Sequence, residues 1–156
     1  MASTAMIPDA RSPARKLSRV VLACTDLRSQ EVLISVLRQR GLEPILSSSV
    51  SETKLLLAKS NPALVISQAR FDDGDFRDLL EFAARQASKV PIIICADFYD
   101  PSLYLDAMEL GAFDYYAYPY HREGVEWVVS NALNEALNHN RAPGEWEHVT
   151  RESRPC

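Results

Sequence analysis

The residues able to do chemistry in this chain are few. The acidic stretch Asp72-Asp73-Gly74-Asp75 offers hard oxygen ligands for a cation, or a carboxylate to accept a phosphoryl group. It lacks the ligand count of a calcium loop, and Asp and Gly are the ordinary residues of a polar turn leading into a helix cap. Cys24 and Cys95 close two apolar runs and could in principle form a redox couple. His121 has no second His at metal-ligand spacing. Tyr115, Tyr116, Tyr118 and Tyr120 form a dense aromatic cluster, and tyrosine suits contact surfaces. Alternation along a strand would send Tyr116 and Tyr118 to one side and Tyr115 to the other. There is no Gly-rich phosphate loop, no nucleophile elbow and no Cys-x-x-Cys pair. No metal or cofactor is expected, and the chain does not read as an enzyme.

The elements that would position these groups can be read from periodicity. Val20-Val21-Leu22-Ala23-Cys24, Leu64-Val65-Ile66 and Ile92-Ile93-Ile94-Cys95 are short continuous apolar runs, as in strands buried on both faces of a parallel sheet. Pro44-Ile45-Leu46 reads as a weaker edge strand, and Asp114 to Tyr118 as the last strand. The first helix carries Leu33, Val36 and Leu37 and ends at Gly41. Ser49 with Glu52 predicts a capping box before Leu55-Leu56-Leu57. Asp75 would open a third helix over 76–88, and Asp100-Pro101 a fourth that ends at Gly111. Val125, Val128, Val129, Ala132, Leu133, Ala136 and Leu137 share one broad face of the fifth. About five βα units with right-handed crossovers predict a doubly wound five-stranded parallel sheet, strand order 2-1-3-4-5. A strand then separates Cys24 from Cys95, so both read as buried core thiols.

The 156 residues suit one domain, expected over 19–139, with tails over 1–18 and 140–156 and no room for an output domain. Arg11, Arg15, Lys16 and Arg19 form a mild basic cluster, and Trp146 is the one large apolar group of the second tail. Seventeen Lys and Arg against 21 Asp and Glu leave no electrostatic footprint for nucleic acid. No apolar run approaches the ~20 residues of a membrane span. The first residues lack the apolar core of a secretory signal, and three widely spaced cysteines make no disulfide framework, so a reduced, cytoplasmic protein is expected.

Several stretches in this order resemble the receiver domain of bacterial response regulators, over about Arg19 to Asn138. They are Asn61-Pro62-Ala63-Leu64-Val65-Ile66-Ser67-Gln68, Asp73-Gly74-Asp75, Val90-Pro91-Ile92-Ile93-Ile94, and Gly111-Ala112-Phe113-Asp114-Tyr115 followed by Pro119-Tyr120. The resemblance places the family's acidic pair at Cys24 and Thr25, its phosphoacceptor at Gln68, its hydroxyl residue at Ala96 and its lysine at Tyr118. A thiol and a hydroxyl are poor Mg²⁺ ligands, and an amide cannot form an acyl phosphate. Asp26 follows the pair but suits a helix cap.

Two family features survive. Tyr115 matches the aromatic whose rotamer reports activation, and Tyr118-Pro119 a bond that is often cis. The resemblance thus implies a degenerate pseudo-receiver, a non-enzymatic two-component signalling module working by protein–protein contact. Its contact surface would lie on the fourth-helix, fifth-strand, fifth-helix face, around Tyr115, Tyr120, Met108 and Trp127, with a protein partner or a second copy. The alternatives are a receiver phosphorylated on an offset acid, Asp72 or Asp26, and a flavodoxin-like domain binding a small molecule in its crevice.

Overall fold

The structure is a computed structural model that describes residues 18–139. Residues 1–17 and 140–156, with Arg11, Arg15, Lys16 and Trp146, lie outside the described residues. Five parallel strands form the main sheet: β1 (Ser18–Ala23), β2 (Leu42–Ser47), β3 (Leu64–Gln68), β6 (Ile92–Ala96) and β7 (Asp114–Ala117). A small antiparallel hairpin, β4 (Arg70–Phe71) and β5 (Gly74–Asp75), follows β3. Strand order in the sheet is β2-β1-β3-β6-β7, which is the expected doubly wound order once the hairpin is set aside. The helices are α1 (Leu27–Gln39), α2 (Val50–Ser60), α3 (Phe76–Ala84), α4 (Pro101–Glu109) and α5 (Arg122–His139).

Strand alternation divides the core in two. Val20, Leu22, Leu64, Ile66, Ile93 and Cys95 face α1 and α5, meeting Leu33, Val36, Leu37, Val125, Val128 and Val129. Val21, Val65, Ile92, Ile94 and Ala96 face Leu57, Phe76, Leu79, Leu80 and Ala107 of the other three helices. Each fully buried branched side chain contributes about 1.5–3 kcal/mol of transfer free energy, so the continuous runs at the sheet centre dominate stability.

The caps follow local chemistry. Asp26, Asp75 and Asp100 accept from the first-turn amides of α1, α3 and α4. Gly41 has φ +76°, the left-handed turn that ends α1. At α2 the expected box is shifted: Ser49 Oγ accepts from Glu52 N at 3.0 Å, but Glu52 Oε1 accepts from Ser48 N at 3.1 Å. The Tyr118-Pro119 bond is cis.

Two expectations need correction. Helix α3 stops at Ala84, short of Ser88, because Arg85, Gln86 and Ser88 bring nothing apolar to the core and Lys89 Nζ caps the carbonyls of Ala84 and Gln86. The α5 stripe outruns its support: Val125, Val128, Val129 and Ala132 are buried, but Leu137 is exposed. Eighteen helical residues rise about 27 Å, against under about 20 Å for these strands.

Candidate functional site

Sheet register assembles the site. Ala23 pairs with Ser67, Gln68 with Cys95, Cys95 with Tyr116 and Ala96 with Ala117. Cys24 and Thr25, Gln68, Cys95 and Ala96, and Tyr118 therefore come together where parallel strands leave their crevice, at the carboxyl ends. All of them line one open cleft of about 810 Å³ with Asp26, Arg28, Arg70, Asp97, Phe98 and Tyr115.

Gln68 is the keystone of this cleft. Its Oε1 accepts from Thr25 N at 2.8 Å and from Thr25 Oγ1 at 3.2 Å, while its Nε2 donates to Arg70 O at 2.7 Å. The backbone partners fix which end of the amide is which, since an N–H must meet the oxygen and a carbonyl the NH₂. A neutral side chain thus ties the β1–α1 loop to the loop after β3.

Two acids near the cleft, Asp26 and Asp73, are occupied by backbone amides, whereas Asp97 at its rim is exposed. Asp26 Oδ2 accepts from Ser29 N at 2.9 Å and Ser29 Oγ at 2.8 Å, which holds its carboxyl below the usual range. Asp72 is exposed in the hairpin and does not line the cleft. Asp73 spans to another element: it accepts from Val50 N at 2.9 Å and Ser51 N at 3.0 Å, capping α2 from 22 residues away and lowering its own pKa. Sequence reading saw only a polar loop here; the Asp73-Gly74 hairpin signal could have located the turn, but not its target. Among the described residues, no three His, Cys, Asp or Glu side chains gather to hold a metal ion. Cys24, Thr25 and Gln68, which the resemblance sets at the family's Mg²⁺ position, offer no carboxylate to that ion, which demands hard oxygen ligands.

The thiols are buried. Burial pushes Cys24 up and Cys95 up to about 12, so both stay protonated at neutral pH. Tyr120 leans on the same core. Its hydroxyl donates to Ala96 O at 3.1 Å, its ring stacks on Tyr116 at 5.7 Å, and burial raises its pKa. Tyr118 packs T-shaped on Tyr120, ring centroids 5.4 Å apart, and is half exposed.

The expected contact surface is narrower than its four residues. Tyr115 is only 5% exposed, its ring enclosed by the edges of Tyr99 and Tyr104, because it points into the core on the side opposite Tyr116. Tyr120 and Met108 are partly buried against the two cores. Trp127 alone of the four stands well out, at 67% exposure. Sequence reading also missed the exposed Phe98 and Tyr99 beside the cleft, and the Arg77 bridge to Asp75 and Asp106 that ties α3 to α4.

No protein-family model matches the chain. No curated protein matches it either. Solved structures do. The signal receiver domain of a protein described as a LuxO repressor from Vibrio parahaemolyticus is 16% identical, with a TM-score of 0.76 over 83% of this chain and 100% of that one. A CheY-like response regulator receiver domain protein from Methanospirillum hungatei is 16% identical, with a TM-score of 0.72 over 80% and 99%. A receiver domain protein from Clostridium thermocellum is 20% identical, with a TM-score of 0.70 over 79% and 99%. No described helix is long and apolar enough to cross a membrane. With its 2-1-3-6-7 sheet and these likenesses, the chain has the fold of a response-regulator receiver domain.

Proposed function

We propose that this chain is a signalling module of the response-regulator type whose output does not depend on phosphorylation: a pseudo-receiver that catalyses nothing and acts through protein contacts. The observation that carries this reading is Gln68. At the acceptor position stands an amide whose oxygen and nitrogen are both engaged in closing the cleft. A receiver needs charge at this place, first to hold Mg²⁺ and then to take and stabilise a phosphoryl group. Here a neutral latch does the loop-joining that ion and phosphate would do. Ala96 and Tyr118 supply neither a hydroxyl at the fourth-strand position nor an ammonium group. Tyr115, the activation-reporting position by resemblance, is held inward in the core, with Tyr99 and Tyr104 packed on its ring. The module then has one resting conformation, and control passes to whatever binds its surface. Trp127 on α5 is the contact residue with the most apolar area to offer.

Titration with Mg²⁺ and beryllofluoride, followed by amide NMR, tests the first half. Unchanged resonances at Gln68 and Tyr115 are expected; saturable shifts at both would refute phosphorylation independence. Trp127→Ser tests the second half. It should weaken self-association or capture of the partner, and undiminished binding would remove this face from the proposal.

A further inference from the structure

The cleft that Gln68 closes to phosphate is still a cleft. Its volume of about 810 Å³ lies within the ~300–1,000 Å³ typical of small-molecule sites. Its base is apolar, built on Leu33, Ile66, Cys95, Ala96 and Leu103. At its mouth Phe98 is 63% and Tyr118 52% exposed, two aromatic side chains partly left in water beside a concave surface.

One polar group in it is unexplained. Tyr115 is 5% exposed, lines the cleft, and its hydroxyl is buried with no hydrogen-bond partner among the described residues. A buried hydroxyl without a partner is costly, and buried polar groups are normally satisfied. Tyr99 and Tyr104 pack T-shaped on its ring, with centroids 6.4 and 6.1 Å away, without pairing the hydroxyl. The remaining charges at the rim have both signs. Asp97 opposes an anion; Arg28 and Arg70 oppose a cation; Gln68, a neutral amide with one N–H spent on Arg70 O, brings no charge to hold a phosphate.

We infer that the cleft binds an uncharged, planar heteroaromatic small molecule, which lies against Phe98 and Tyr118 and accepts a hydrogen bond from the Tyr115 hydroxyl. Flat rings recover the exposed aromatic area, and a ring nitrogen or carbonyl supplies the missing acceptor. The Asp97 carboxylate, with no hydrogen bond of its own among the described residues, is placed to accept from an N–H on the same ligand. Because Tyr115 touches Tyr104 of α4, an occupied cleft would bear on the same flank that carries the contact surface. A small molecule then provides the input that phosphate provides elsewhere.

The test uses the full chain and amide NMR titration with adenosine, guanosine and riboflavin as probes, and inorganic phosphate as the anion arm. At least one heteroaromatic should give saturable shifts at Phe98, Tyr115 and Tyr118, with none from phosphate. Tyr115→Phe keeps the ring and should weaken that binding about five- to tenfold, the share of one hydrogen bond. The same variant, without ligand, should melt no lower than the parent, since its hydroxyl has no partner to lose. No saturation with any of the three compounds, saturation by phosphate, binding indifferent to Tyr115→Phe, or a lower melting temperature in that variant would each overturn the inference. Beryllofluoride leaves the two readings separable: its binding would refute the phosphate-independent function, whereas failure of the heteroaromatic probes leaves that function standing.

Discussion

Gln68→Ala is the sharpest perturbation of the site. The parent side chain makes three hydrogen bonds, to Thr25 N, Thr25 Oγ1 and Arg70 O. A neutral intramolecular hydrogen bond is worth about 0.5–1.5 kcal/mol net. The Thr25 hydroxyl, at 3.2 Å and exposed, can turn to water at little cost. The other two bonds are short, but Gln68 is only half buried, so water can replace part of each. The expected loss is about 1–2 kcal/mol, read as a lower urea midpoint with an unchanged slope. The loss should be local as well as global, with the amide of Thr25 exchanging faster and the loop at Arg70 loosening. Gln68→Glu separates the two ends of the latch. It keeps an acceptor for Thr25 and loses the donor to Arg70, so Thr25 stays protected while the second loop relaxes. An Ala variant within about 0.5 kcal/mol of the parent, with Thr25 exchange unchanged, would mean the amide joins nothing.

Other outcomes follow from the same geometry. Gly124→Ala should gain about 1 kcal/mol of helix propensity on paper, yet a Cβ there would collide with the Tyr116 hydroxyl, so a net loss is expected that Tyr116→Phe recovers; a plain gain by thermal melting would contradict it. Asp73→Ala should destabilise the fold at neutral pH. The folded pKa of Asp73 is lowered by the α2 amides, so its contribution is present above the ordinary carboxylate range and disappears as pH falls through it; parent and variant should converge in acid, and a constant gap across pH would refute the cap. Arg77→Met should cost about 0.5–1 kcal/mol, less at high salt, with faster amide exchange in α4, because both ion pairs are partly exposed; no change in α4 would show that the bridge does not hold it.

The fold and the location of the site were legible in the sequence because both rest on short-range rules. Apolar runs at Val20, Leu64 and Ile92 mark strands buried on both faces, and Asp26, Ser49, Asp75 and Asp100 mark helix starts through bonds spanning only two or three residues. Alternation likewise sends Tyr115 and Tyr116 into different cores. Cys24, Thr25, Gln68, Ala96 and Tyr118 were singled out by resemblance, and the structure gathers them in one cleft. What each residue does there was not legible, because it depends on partners distant in sequence.

The sequence by itself determined the strand runs and helix caps, and with them which chain segments end at one edge of the sheet. Only the tertiary structure decided that Gln68 spends both ends of its amide on segments 43 and two residues away, that Asp73 caps a helix 22 residues behind it, and that the Tyr115 hydroxyl is buried without a partner among the described residues. The physical reason is one of range. Helical and strand periodicity and first-turn caps are encoded within a few neighbouring residues, whereas the satisfaction of a buried polar group is a property of the whole packed surface around it.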